Sequence, residues 1–139
     1  MTDCAGIGWV LYDKQENIIL KGMASIPPTS TPEEAEAEAL RSALFQVGRL
    51  GYTNVLFCGD ASNLYHNIAA LESNESLPKG TTTNNDLASY IQDIKNLAKT
   101  YISSQFCKIP RTLNNVADKL AKIARSKKMT YVISWTDVS

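Results

Sequence analysis

The sequence predicts a mixed α/β fold in which a β-sheet is flanked by helices. Two observations favour this class: two apolar runs near the amino terminus form a β-hairpin pattern, and strand and helix patterns alternate along the rest of the chain. The predicted order is β-β-α-β-α-α-β-α. No internal repeat or long linker interrupts it, so we expect one domain over residues 1–139.

A β-hairpin opens the predicted sheet. Apolar residues alternate over positions 6–12, and a polar segment that favours a turn separates them from the apolar run Ile18–Leu20. Alternation on both sides of a short polar turn is typical of two antiparallel strands. The amino-terminal part of the sheet is therefore expected to be antiparallel.

The first helix has a clear start signal. Thr31, Pro32 and Glu34 match the N-cap, N1 and N3 positions of a capping box, and proline at N1 costs no hydrogen bond. The helix is expected to continue to about Leu50 and to end near Gly51, because glycine commonly follows the last helical turn.

Later elements follow from hydrophobic patterns. Residues Asn54–Gly59 form a short, continuous apolar run that predicts a strand buried on both faces. A helix over about Ala61–Leu71 follows, and residues 72–85 have the composition of a loop. The remaining predicted elements are a helix with a 3.6-residue apolar period, a strand and a last helix: residues 87–97, Tyr101–Ile109 and Asn114 to about Ser126.

Charge is unevenly distributed in a chain whose formal net charge is zero. Residues 1–100 contain 7 Lys/Arg and 12 Asp/Glu, whereas residues 101–139 contain 7 and 2. The basic carboxyl-terminal region is either a solvated helix face or a patch that contacts phosphates, and composition does not decide between them.

Cysteine usage and hydropathy indicate an intracellular, soluble protein without a membrane partner. Cys4, Cys58 and Cys107 lack metal-binding spacing, and they are predicted to be reduced, buried packing residues. No segment approaches the roughly 18 apolar residues of a membrane span, and no secretory leader pattern opens the chain. Nucleus and cytoplasm are not distinguished.

Four glutamates crowd the start of the first helix, where its dipole favours negative charge. One of them differs in position. Glu36 shares a helical stripe with Leu40 and Val47 and is expected to point inward, whereas Glu34 and Glu38 are expected on the polar face. A carboxylate on an inward stripe requires a partner, and a metal ion is one candidate.

Two aspartates have both structural and functional interpretations. Asp60 follows a predicted strand and precedes a helix, where it either caps that helix or lies among ligands at the carboxyl ends of the strands. Asp118 lies within the last helix, four residues before Lys122, and the pair alone would be an ordinary surface ion pair.

Four segments together resemble a known family: Ala5–Leu11, Pro32–Leu40, Asn54–Asp60 and Ile109–Ala121. They closely resemble, in order, the plant ribonuclease H-like domain of the type 1 ribonuclease H family, which is often found in retroelement-derived genes. The resemblance covers residues 5 to about 126. It implies a ribonuclease H-like fold, α/β with a mixed sheet between helices.

The resemblance also implies a function and a site. Family members use acidic residues to hold two Mg²⁺ ions, or Mn²⁺ in their place, which hydrolyse the RNA strand of an RNA/DNA hybrid. Glu36, Asp60 and Asp118 occupy the positions of catalytic metal ligands. The residues implied to contact the nucleic acid are Arg111, Asn114, Lys119 and Lys122.

This sequence departs from the family pattern in its first strand. In the family that strand carries the first catalytic aspartate, but here only four residues precede the first motif, and Asp3 is not expected to be a ligand. The chain is therefore expected to be a fragment or to come from a truncated gene model, with weak or absent nuclease activity.

Two other functions remain open. A module that kept the fold but lost catalysis would bind nucleic acid through basic residues such as Lys108 and Arg125, without a metal requirement. A protein-interaction module would instead use the apolar tail, residues 129–139, through Tyr131 and Trp135.

Overall fold

The computed structural model describes residues 4–72, 85–128 and 132–135. These residues form five strands, four α-helices and a 3₁₀ turn at Arg111–Leu113. The strands are β1 (Ala5–Tyr12), β2 (Ile18–Ile26), β3 (Asn54–Gly59), β4 (Ser103–Lys108) and β5 (Val132–Trp135). The α-helices are α1 (Pro32–Arg49), α2 (Ser62–Glu72), α3 (Asn85–Ala98) and α4 (Asn115–Lys127).

The predicted α/β class is confirmed, and strands of both orientations are present. β1 and β2 form the predicted antiparallel hairpin, and β5 adds to the other edge of β2 in antiparallel orientation. β3 and β4 form a separate parallel pair. Two compact units result: a terminal unit of Met1–Ser30 and Asn114–Ser139, and a central unit of Thr31–Leu113.

Helix α4 packs closely on β1 in the terminal unit, and two glycines permit this approach. A Cβ atom added to Gly8 would lie 2.8 Å from the backbone nitrogen of Ala121 and 2.8 Å from Cβ of Leu120. One added to Gly6 would collide with the carbonyl group of Ala121. The two glycines of the first sequence motif are therefore required by helix packing.

The alternate side chains of β1 fill the core of the terminal unit. Ile7 and Trp9 are both buried, as is Leu20 on β2. Trp9 lies opposite Gly22 in the strand register, and its indole ring occupies the space that a side chain at Gly22 would need. The hairpin therefore buries the Trp9 ring without a steric clash with the neighbouring strand.

Helix α1 begins where the sequence predicts. Thr31 is the N-cap residue, and its Oγ1 accepts a hydrogen bond of 3.2 Å from the backbone N–H of Glu34. The buried face of the helix carries Ala37, Leu40 and Leu44. The cap and the apolar stripe together account for an 18-residue helix at this position.

The predicted polar-face position of Glu34 is wrong. The residue is only 2% exposed, and α3 packs against α1. On the same side, the Arg41 guanidinium binds Asp93 of α3 at 3.0 Å and lies 5.1 Å from the Tyr90 ring centroid. Helical periodicity identifies one apolar stripe, and it does not reveal that a second helix covers the neighbouring face.

Strand β3 has one buried and one exposed face, so its predicted burial on both faces is wrong. Phe57 is buried, whereas Leu56 is 57% exposed. Cys58 and Cys107 are also exposed, contrary to their predicted burial, and Cys4 is half-buried. All three are free thiols in the structure. Partial burial and the neighbouring Cys107 thiol raise the pKa of Cys58.

Tyr101 joins the parallel sheet to α1 within the central unit. Its phenol donates a hydrogen bond of 2.5 Å to the carbonyl oxygen of Leu44, and its ring meets that of Phe57 edge to face at 5.5 Å. The residue is 8% exposed. Burial of the phenol raises the pKa of Tyr101 to about 12.

Several predictions lie outside the described residues. They concern most of the loop at 72–85, the position of Asp3 and the contacts of the tail at 129–139. The backbone of Val132–Trp135 is described, and its pairing with β2 adds a strand that the sequence pattern did not predict. No helix in the described ranges has both the length and the apolar character needed to cross a bilayer.

Tyr101→Phe is expected to lower the free energy of unfolding by about 1 kcal/mol at pH 8, because it removes a buried hydrogen bond. The unfolded tyrosine ionises near pH 10, whereas the folded one resists ionisation until about pH 12. The stabilisation that depends on the neutral phenol is therefore complete below pH 10 and is lost as the pH rises toward 12.

Urea unfolding of wild type and Tyr101→Phe between pH 8 and 11 measures this dependence. The stability of the wild type is expected to fall more steeply than that of the variant above pH 10. Parallel curves over this range would contradict the assigned role of the Tyr101 phenol.

Candidate functional site

The carboxyl ends of β3 and β4 lie side by side, and the candidate site lies at this edge of the sheet. Gly59 pairs with Lys108 in the parallel register, and the backbone N–H of Ile109 donates to the carbonyl oxygen of Gly59 at 2.8 Å. The chain segments that leave the two strands therefore start next to each other. Asp60 follows one strand, and Arg111 follows the other at the start of the 3₁₀ turn.

An open cleft of about 370 Å³ lies at this end of the strands, within the central unit. It brings together three of the residues predicted from sequence, Glu36, Asp60 and Arg111. The two carboxylate residues are half-buried, and Arg111 is exposed. The complete lining consists of Pro32, Glu33, Glu36, Asp60, Ala61, Lys108, Ile109, Pro110 and Arg111.

Asp60 is not the N-cap residue of α2. The backbone N–H of Tyr65 donates to the carbonyl oxygen of Ala61 at 3.1 Å, so Ala61 supplies the first helical carbonyl of α2. Asp60 lies one residue before that cap position and lines the cleft. Of the two interpretations left open by the sequence, the geometry favours a place in the cleft over the N-cap.

The acidic residues of the cleft influence the pKa of a buried tyrosine, Tyr65. Its phenol lies against Gly59, so that a Cβ atom added there would be 2.7 Å from Cζ of Tyr65. Burial is the main cause that raises the pKa of Tyr65, and the negative charges of Glu36 and Asp60 raise it further. The two carboxylates therefore act on the same buried phenol.

Two cations line the same cleft as the acidic residues. Lys108 ends β4, and Arg111 starts the 3₁₀ turn after it. The sequence predicts a role for Lys108 only in metal-free nucleic-acid binding. The observation that could have placed it in the cleft is its position at the end of a strand parallel to β3. The Oε1 atom of Glu33, a third acid in the lining, accepts a hydrogen bond of 3.0 Å from Asn63.

The chemistry of the lining residues fits Mg²⁺. Glu36 and Asp60 provide carboxylate oxygens, and Mg²⁺ is usually held by one or two carboxylates together with water and substrate phosphates. Over residues 4–72, 85–128 and 132–135, no three histidine, cysteine or acidic side chains are grouped closely enough to hold a metal ion. The cleft residues therefore fit a metal ion that completes its coordination with water and phosphate oxygens.

The other predicted site residues lie at the start of α4 in the terminal unit. Asn114 occupies the N-cap position, and its carbonyl oxygen accepts from the backbone N–H of Asp118 at 3.2 Å. Oδ2 of Asp118 lies 3.2 Å from Nζ of Lys122. The Asp118 and Lys122 side chains are 47% and 65% exposed, and Lys119 is also exposed.

Such an exposed ion pair contributes little to stability. It matches the structural interpretation of Asp118 made from the sequence, in which Lys122 is its partner. A role of Asp118 as a metal ligand, and of Asn114, Lys119 and Lys122 as nucleic-acid contacts, stays a prediction.

The chain resembles ribonuclease H structures over most of its length. Ribonuclease H1 from the halophilic archaeon Halobacterium salinarum NRC-1 aligns with a TM-score of 0.75 at 24% identity, covering 89% of this chain and 87% of that one. LC11-RNase H1, isolated from compost by a metagenomic approach, aligns with a TM-score of 0.73 at 26% identity, covering 89% and 86%.

A second structure of LC11-RNase H1 is a complex with an RNA/DNA hybrid. It aligns with a TM-score of 0.71 at 25% identity, covering 91% of this chain and 88% of that one. No curated protein matches the sequence.

The family model described as reverse transcriptase-like matches residues 1–124, which is most of the chain. The match includes all four sequence motifs on which the resemblance rests. The chain therefore belongs to the reverse transcriptase-like family and has a ribonuclease H-like fold.

Proposed function

We propose that this chain is a ribonuclease H-type domain that binds an RNA/DNA hybrid at the cleft and uses Mg²⁺ to hydrolyse the RNA strand. The observation that carries the proposal is the cleft itself, where Glu36 and Asp60 meet Lys108 and Arg111. A phosphodiester group presents negative oxygens to a metal and to cations at once. This arrangement of charges supplies both kinds of partner.

The residues have separate roles in this proposal. Glu36 and Asp60 would hold Mg²⁺, which when bound activates water and stabilises the leaving oxygen. Lys108 and Arg111 would bind the phosphates that flank the scissile bond, and the guanidinium of Arg111 can contact two phosphate oxygens. An RNA strand differs from DNA in its 2′-hydroxyl, which gives the domain a group to select.

Asp118 is proposed as a further metal ligand because it occupies the family position in the last motif. In the hybrid-bound state its carboxylate would leave the exposed pair with Lys122, which costs little. Lys122 would then be available to a phosphate, as would Lys119, and Asn114 would lie beside the substrate.

A metal-independent nucleic-acid-binding module is the second candidate. The absence of a three-member acidic or mixed ligand group among the described residues favours it, because a two-metal site normally uses more carboxylates than line this cleft. The two candidates differ in the effect of EDTA. Chelation should abolish hydrolysis in the first, and leave binding unchanged in the second.

Glu36→Gln and Asp60→Asn are each expected to reduce Mg²⁺-dependent cleavage of a labelled RNA/DNA hybrid by on the order of 100-fold, because a displaced metal misaligns the reacting groups. Glu38→Gln and Asp93→Asn are matched controls. Each control also removes one negative charge, but the residues it changes, Glu38 of α1 and Asp93 of α3, bind Arg41, which does not line the cleft.

Equal loss of cleavage in the control variants would contradict a specific role for Glu36 and Asp60. If the wild type binds the hybrid and does not cleave it at any Mg²⁺ or Mn²⁺ concentration, the second candidate function is correct.

Arg111→Ala and Lys108→Ala are expected to weaken hybrid binding similarly for unrelated sequences, because phosphate contacts carry no base information. Each should reduce the slope of log affinity against log salt concentration by about 1. Fluorescence anisotropy at four salt concentrations measures both effects. Lys99→Ala, which removes an exposed cation just after α3, is the control. An equal effect of this variant would show that binding depends on overall positive charge and not on these two residues.

Asp118→Asn and Lys122→Gln separate the roles of the α4 pair. If Asp118 holds metal, Asp118→Asn should lower kcat by on the order of 100-fold, whereas Lys122→Gln should mainly raise KM. Steady-state kinetics across a Mg²⁺ titration provides the measurement. Similar small changes in both variants would leave Asp118 as a surface ion-pair partner only.

A further inference from the structure

Two thiols lie side by side on the parallel strands of the central unit. Cys58 of β3 pairs directly with Cys107 of β4 in the strand register. Neighbouring strands are separated by roughly 4.8 Å, and paired positions project their side chains from the same face of the sheet. Sγ of Cys107 donates to the carbonyl oxygen of Lys108 at 3.5 Å, in the last residue of the same strand.

The face that carries the thiols is accessible to small reagents. Both cysteines are exposed free thiols. The preceding pair on this face, Leu56 and Gln105, is exposed as well. A reagent that approaches the sheet from this side can therefore meet both sulfur atoms at once.

The opposite face holds the strands in register. Phe57 and Phe106 are paired one position before the cysteines, and their rings stack with centroids 5.4 Å apart and an interplanar angle of 19°. After the cysteines, the N–H of Ile109 bonds to the carbonyl oxygen of Gly59 at 2.8 Å. Fixed contacts thus hold the two strands together before and after the cysteines, so that little ordering is needed when a ligand bridges the thiols.

We propose that Cys58 and Cys107 form a two-thiol binding site for a single thiophilic centre of the trivalent-arsenical class, which bridges β3 and β4. Soft sulfur ligands select such centres, in contrast to the hard oxygen ligands of the nearby cleft. The site therefore differs in chemistry from the proposed magnesium site and takes a different ligand.

The reaction with an arsenical is balanced without an oxidant. Phenylarsine oxide, C₆H₅As=O, reacts with the two S–H groups to form two As–S bonds, and the arsenic–oxygen bond breaks. Both thiol protons leave on that oxygen as water. Arsenic and sulfur keep their oxidation states.

Intact-mass spectrometry of the whole chain with phenylarsine oxide tests the proposal. The wild type should form a 1:1 adduct that has lost one water. The adduct should survive excess 2-mercaptoethanol and be removed by 2,3-dimercaptopropanol. In Cys58→Ser and Cys107→Ser, apparent affinity should fall by on the order of 100-fold, the gain that a second attachment within one molecule provides.

Cys4→Ser is the matched control, because Cys4 belongs to the terminal unit and donates instead to the carbonyl oxygen of Arg125 at 3.4 Å. It should keep the full adduct. A protection experiment on the wild type avoids dependence on variant folding: bound arsenical should shield Cys58 and Cys107 from N-ethylmaleimide and leave Cys4 reactive.

Three results would overturn the proposal. They are no adduct with the wild type, loss of the adduct in Cys4→Ser, or protection of any pair that includes Cys4. Since nucleic acid and Mg²⁺ are not used, failure of this test is independent of the proposed nuclease function.

Discussion

Parallel pairing between β3 and β4 is the constraint on which the chemistry of the central unit depends. A parallel pair ends with both carboxyl termini on the same side, so Asp60 and Arg111 leave the sheet together. The same register places Cys58 beside Cys107. A shift of one residue would move these side chains to opposite faces, and would separate both the cleft residues and the dithiol.

The register is held from the buried side of the sheet. Phe57 stacks on Phe106 and meets Tyr101 edge to face, and the Tyr101 phenol is bound to the Leu44 carbonyl of α1. This chain of contacts ties the two strands to the helix that carries Glu36. Position in the cleft is therefore coupled to packing in the core.

Oxygen and sulfur side chains, which bind different classes of metal, lie close together near the ends of the same strands. The cleft is lined by both carboxylates and cations, the groups that the proposed phosphate substrate and its metal would need. Only one residue separates Cys58 from Asp60, but the thiol belongs to the open face of the strand. Side chains two residues apart in a strand project from the same face, so alternation does not separate these two residues. Asp60 instead lies beyond Gly59, the last residue of β3, where the chain leaves the sheet and lines the cleft.

The sequence by itself determined every described strand and α-helix except β5, their order, and the start of α1 at Thr31, because these depend on local periodicity and capping. It also pointed to Glu36 and Asp60, which line the same cleft, and their role as metal ligands stays a proposal. Only the tertiary structure decided which faces are covered. It buried Glu34 and left Cys58 exposed, contrary to the patterns. It also paired β5 with β2 and brought Lys108 to the cleft. Such outcomes depend on contacts between segments far apart in the chain, for which local periodicity carries no information.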